Sequence, residues 1–158
     1  MTKFISFGVA LLAVVVATVL AEDVEQSAAI ESRIEIVEDI AAFKAAHPDL
    51  ELVPMEVSRS PRQQIVYTLG GRVSGDRLVG TSQDSQSWST PQDVTLTLSY
   101  PVSGTGAVVS YVQVVVNQSS SLGQGYVVAG GIGQRYIQMV IVAYNTTFFN
   151  YVAQIYGV

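Results

Sequence analysis

Val94-Thr95-Leu96-Thr97-Leu98-Ser99-Tyr100 alternates apolar and polar residues at every step, the period of a strand with one dry face and one wet face. Pro101 and Gly104 end it. Upstream, Ile65, Tyr67 and Leu69 alternate in the same way before Gly70-Gly71. Downstream, residues 107–116 are Val-rich on both faces, which predicts a central strand, and the polar run 117–123 closes it. Residues 126–129 predict a short strand, and Gly130-Gly131-Ile132-Gly133 a turn or bulge. Residues 136–144 and 148–156 predict two more strands, joined as a hairpin at Asn145-Thr146-Thr147. Six or seven short strands at hairpin spacing, with no helical pattern between them, predict a mainly β domain over residues 63–158, an antiparallel β-sandwich. No connection is long enough to return a parallel strand, so an α/β fold is excluded.

The region before this domain has a different composition. The 158 residues carry a formal net charge of −5, but residues 22–56 carry −8 and residues 57–158 carry +2. Within the acidic stretch Ile30, Ile34, Val37 and Ala41 recur at helical spacing, with Glu31, Glu35, Glu38 and Asp39 opposite. His47-Pro48-Asp49 would stop a helix, because proline disfavours helical backbone at the residue before it. The pattern predicts one amphipathic acidic helix over residues 26–45 and a Pro-bearing linker to Pro61, together residues 22–62. Such a helix either packs on the following domain or is a detachable acidic segment that complements the slightly basic remainder.

Residues 1–21 read as a secretory signal peptide. Lys3 forms the short charged end, residues 4–21 carry no charge, and Ala, Val, Ile, Leu, Met or Phe fill 16 of the 21 positions. Val19-Leu20-Ala21 precedes Glu22-Asp23, which places cleavage after Ala21. A retained membrane anchor is the competing reading, since residues 4–21 approach bilayer length. Ser6, Gly8, Thr18 and the cleavage site favour the leader. After cleavage no membrane association is expected.

Composition narrows the chemistry further. With no Cys, disulfides, thiol nucleophiles and cysteine-ligated zinc are excluded. With a single His, His47, no multi-histidine metal cage can be built. A charged fraction of 13% and a pI near 4.6 argue against direct nucleic-acid binding driven by bulk charge. Gly130-Gly131-Ile132-Gly133 opens no helix, so it is not a phosphate cradle. Asp76, Asp84 and Asp93 lie beside turn-forming residues and read as turn caps rather than an acid/base pair. No catalytic, cofactor-binding or metal-binding residue is expected, and the chain reads as a non-enzymatic protein.

Two N-glycosylation sequons, Asn117-Gln118-Ser119 and Asn145-Thr146-Thr147, fall in predicted inter-strand loops. The eight Tyr residues read mainly as cross-strand pairs and half-buried rims. Trp88, in the polar loop predicted over residues 82–92, is either folded back onto the sheet or exposed for a partner.

Gly71-Arg72-Val73-Ser74-Gly75-Asp76-Arg77-Leu78, the Asn117-Gln118 turn, Gly130-Gly131-Ile132-Gly133 and the ending Phe149-Asn150-Tyr151-Val152-Ala153-Gln154-Ile155-Tyr156-Gly157 resemble, in that order, the arthropod multiprotein bridging factor 2 family. The resemblance covers about residues 65–157. Its most specific parts are Gly75-Asp76, the glycines at Gly130, Gly131 and Gly133, and Tyr156-Gly157. Where the family usually shows Asp, this chain has Asn117, which creates the first sequon. The family takes its name from transcriptional co-activation, acting with multiprotein bridging factor 1 and the general transcription factor IIA, yet many members resemble small β proteins behind a signal sequence. With the leader in front, the expected function is a secreted, extracellular, non-catalytic binding protein with a protein or small-ligand partner and no cofactor. The alternative is a nuclear transcriptional co-activator that works through protein contact.

Overall fold

The computed structural model describes residues 30–36, 40–46, 48–49, 52–61 and 63–158. The leader and its cleavage site, like His47, lie outside them. Among the described residues eight strands and one short helix follow in chain order: β1 (Glu31–Ile36), α1 (Ile40–Ala46), β2 (Val53–Pro54), β3 (Glu56–Arg59), β4 (Gln64–Gly70), β5 (Arg77–Tyr100), β6 (Val109–Gln118), β7 (Gly123–Gly130) and β8 (Ile137–Gly157). All strand pairings are antiparallel.

Two long strands form the frame. β5 has 24 residues and β8 has 21, well beyond the usual strand length of about 3–10 residues. They pair along nearly their whole length, from Arg77↔Gly157 to Tyr100↔Ile137. On its other side β8 divides its neighbours: residues 137–143 pair with β7, and residues 149–157 pair with β6. β6 then pairs with β4, and β4 with β3. β2 lies on β7, one residue away from β3 on β4.

The sheet is therefore curled, and its two halves face one another. Tyr67 of β4 reaches β7, where a Cβ at Gly125 would stand 2.7 Å from its ring. One buried cluster joins Ile65 and Tyr67 to Val112 and Val114, to Leu96 and Leu98, and to Met139 and Ile141. The expected sandwich of six or seven short strands over residues 63–158 is replaced, among the described residues, by five strands, β4 to β8, of one continuous eight-stranded sheet that β1, β2 and β3 of the preceding segment complete. The long β5–β8 pair carries the hydrogen bonding from one half to the other.

Three local expectations change for the same reason. Residues 82–92 are not a loop, because Phe148 to Tyr151 of β8 supply backbone partners for residues 84–87. Trp88 there is half-buried against the core. Asn145-Thr146-Thr147 is not a hairpin: β8 runs through it, with Asn145 at φ 52° and register shifts opposite it around Gln92, the local kink that a bulge supplies. The sequons consequently lie within or at the ends of strands, not in loops.

The predicted acidic helix is also corrected. Residues 31–36 form β1, paired with residues 94–99 of β5 from Glu31↔Ser99 to Ile36↔Val94. Among the described residues helix is confined to Ile40–Ala46, and residues 26–29 and 37–39 of the predicted helix lie outside them. Ile30, Ile34 and Ile36 satisfy an alternating pattern as well as a helical one, with Glu31, Arg33 and Glu35 between them. β-branched residues favour strand, and the edge of β5 offers backbone partners that an isolated helix of this length does not need. The turn at Gly130-Gly131-Ile132-Gly133 stands as expected, with φ values of 66°, 144° and 81° at its three glycines, a conformation open to glycine at low cost.

Candidate binding face

β4, β6, the second half of β8 and the first half of β5 turn one face to the core and the other outward, whereas residues 139–143 of β8 are buried on both faces. Register decides what the outer face shows. Tyr111 stands opposite Tyr156, Gln113 opposite Gln154, Val115 opposite Val152, and Asn117 opposite Asn150. The two central strands thus carry four directly opposed pairs of identical residues. β4 extends the ranks with Thr68, Val66 and Gln64, and β5 extends them with Thr81, Gln83 and Ser85. These three extended ranks contain no charged side chain; Glu56 of the edge strand β3, opposite Thr68, borders them. At about 4.8 Å between strands and about 6.8 Å between alternate residues, four strands and four ranks cover roughly 14 Å by 20 Å. Within the face Ser85 Oγ donates to Asn150 Oδ1 at 2.5 Å.

A charged corner closes one end. Asp76 lies just after Gly75, whose φ of 85° turns the chain. Its carboxylate accepts from Arg72 Nε at 2.9 and 3.0 Å, Arg72 Nη2 at 2.8 Å, the Val73 N–H at 2.9 Å and Ser110 Oγ at 3.1 Å. The Arg72 hydrogen bonds, then the Val73 N–H, hold the Asp76 carboxyl down at about 2. The same bonds push the Arg72 guanidinium further up. Arg72 is also stacked 3.7 Å from the centre of the Tyr156 ring, and Tyr156 meets Tyr111 with ring centres 6.0 Å apart. This arrangement fixes a planar cation over an aromatic face.

The other family-motif residues gather beside this corner. Gly133 N–H donates to Val109 O at 2.8 Å, and Val109 N–H donates to Gln134 O at 2.8 Å. Ile132 packs so closely on Gly70 that a Cβ there would stand 2.6 Å from it. Gly157 is buried against Val108. Gly75, Asp76, Gly130, Gly131, Gly133, Tyr156 and Gly157 thus belong to one end of the sheet, where they shape turns and the corner rather than a cavity.

Asn117 and Asn145, both exposed, belong to the opposite end. Ser119 Oγ and Thr146 Oγ1 are 3.1 Å apart, and Thr147 N–H donates to Ser119 Oγ at 2.8 Å, so the two sequons are tied together. Asp93 accepts from the Asn145 N–H at 2.9 Å and Asp84 from the Ser85 N–H at 2.7 Å; with Asp76 on Val73, all three carboxylates hold backbone N–H groups. Among the described residues no three His, Cys, Asp or Glu side chains come together in a way that could hold a metal ion.

The mirror pattern escaped the reading of single strands. It is nevertheless written in the chain: Tyr-x-Gln-x-Val-x-Asn at 111–117 and Asn-x-Val-x-Gln-x-Tyr at 150–156 become opposed once the two segments pair antiparallel.

A family model described as transcription activator MBF2 matches residues 69–157, a span holding both mirror segments and the whole Arg72–Asp76 corner. No curated protein and no solved structure matches the chain. With more than half of its length covered, the chain belongs to the transcription activator MBF2 family.

Proposed function

We propose that this protein is a non-catalytic transcriptional co-activator that works by protein contact, presenting its outer face of paired Tyr, Gln, Val and Asn residues to multiprotein bridging factor 1 and the general transcription factor IIA. The observation that carries this reading is the family match, which spans the centre of that face. The character of the face supports it. A patch of Val flanked by amides and hydroxyls, with tyrosines and a stacked arginine at one end, has the composition of a protein-contact surface, where aromatic residues and Arg are enriched and charged residues are depleted at the centre. No nucleic-acid contact and no cofactor enter this reading. Purified full chain should bind bridging factor 1 or factor IIA, and the pair of changes Gln113→Lys and Gln154→Lys should weaken that binding at least tenfold. Absence of binding by the wild-type chain to either protein would sink the reading.

A second reading rests on residues 1–21. A leader that ends at Ala21 would route the chain out of the cell, where the same face would serve a secreted binding protein, glycosylated at Asn117 or Asn145. Full chain carrying a C-terminal tag separates the two. Recovery from nuclei with residue 1 intact supports co-activation; recovery from the medium, beginning at Glu22 and shifted by glycosidase, supports secretion.

A further inference from the structure

β1 is attached to the sheet in an unusual way. Among the described residues its one strand partner is β5, at the sheet's edge, and of its six positions five are exposed and Ile34 is half-buried. Two side chains anchor the segment, the half-buried Ile34 and the buried Ile30. Ile30, immediately before β1, is buried over Gly80 of β5, where a Cβ would stand 2.9 Å from Ile30 Cγ1 and 3.2 Å from Tyr100 Cδ2. Gly80 is thus a hole in the edge, walled by Tyr100 and filled by one aliphatic side chain. On the outward side Arg33 and Glu35 pair with each other at 2.8 Å while remaining open to solvent, so they add little to attachment. The family match begins at residue 69, so it includes β5 and omits β1.

We propose that the β5 edge beneath β1 is a strand-acceptor site, that β1 is its exchangeable resident, and that a partner protein occupies it with an extended segment carrying an aliphatic side chain four residues ahead of a second. The mode is β-strand addition, in which backbone hydrogen bonds along residues 94–99 supply affinity and the Gly80 hole supplies selectivity. The sides of β5 already differ: Val94, Leu96 and Leu98 are buried in the main core, while on the other side Thr97 and Ser99 are half-buried and Thr95, though buried, is polar, so an incoming strand must place its aliphatic residues toward the core. Residues 30 and 34 of this chain show the spacing that fits. The site uses a different edge from the outer face above and holds in either compartment, so its failure and the failure of the co-activator reading are separately visible.

The test uses the full chain and a fluorescent peptide of residues 29–37. Ile30→Ser loosens the resident strand and should bind the peptide at least tenfold more tightly than the wild-type chain. Adding Gly80→Val fills the hole and should abolish that binding, with thermal melts reporting that the sheet persists. Equal affinity of the wild-type and Ile30→Ser chains, or binding undiminished by Gly80→Val, would overturn the proposal. Amide exchange on the wild-type chain gives a measurement free of variants. β1 amides bonded to β5 should exchange at least tenfold faster than those of residues 139–142, by local release of the strand. Equal rates in the two segments would equally overturn it.

Discussion

Asp76 shows how one residue of a turn comes to organise a corner. Its carboxylate gathers Arg72, the Val73 N–H and the Ser110 hydroxyl, and these donors favour its charged form. A carboxyl that ionises at about 2 when folded and near 3.8 when free adds stability that is complete above about pH 4 and is lost as pH falls toward 2. The Val73 amide signal should therefore titrate near pH 2 in the wild-type chain and show no such step in Asp76→Asn; a midpoint near 3.8 would contradict the corner as described. Tyr67 presents the opposite case. Its ring is fully buried and its hydroxyl has no partner among the described residues; burial pushes its ionisation up to about 12. A buried donor left unpaired costs roughly 1–3 kcal/mol, so Tyr67→Phe should raise stability by about 1 kcal/mol in denaturant unfolding. A loss of stability would show that the hydroxyl is paired after all. At Gly130, φ is 66° and an added Cβ would collide with the Tyr136 carbonyl. Gly130→Ala should therefore lower the melting temperature markedly, while the same change at Gly71, which has open space, should not.

Elements were legible in the sequence where one face is dry and one wet. Val94 to Tyr100 declares itself because its apolar side meets the core while Thr97 and Ser99 opposite stay half-exposed; β4 follows the same rule, and β6 was legible instead from its run of Val. Residues 82–92 do not alternate, since neither face of that stretch is consistently covered; their strand state is imposed by the backbone partners of β8, which lie some 60 residues away in sequence. Residues 30–36 misled for another reason. Isoleucines at 30 and 34 fit one turn of helix as readily as one side of a strand, and only the free edge of β5 decides between them. The corner was half legible: Gly75-Asp76 announced a turn, but the stacking of Arg72 on Tyr156 joins segments about 80 residues apart. At this scale Leu96→Ala, in the fully buried row of β5, should destabilise the fold by about 3 kcal/mol, whereas Thr97→Ala should cost well under 1 kcal/mol; comparable costs at the two positions would contradict the assigned faces.

For the whole molecule, β5 and β8 matter more than any single strand. They bind the two halves of the sheet into one curled layer, and that curl turns one side of β4, β6 and the second half of β8 into the core and leaves the other as a broad, uncharged face. The net charge of −5 says little about that face, because the acidic residues are concentrated before residue 57. The proposed function makes this face, in the nucleus or outside the cell, the surface that binds. Isotope-labelled full chain titrated with multiprotein bridging factor 1 tests this directly. The expected result is that the largest shifts fall on Gln113, Val115, Val152, Gln154 and the Arg72 side chain, with β1 and the β2–β3 segment unmoved; shifts confined to other surfaces, or none at saturating partner, would contradict the assignment of this face.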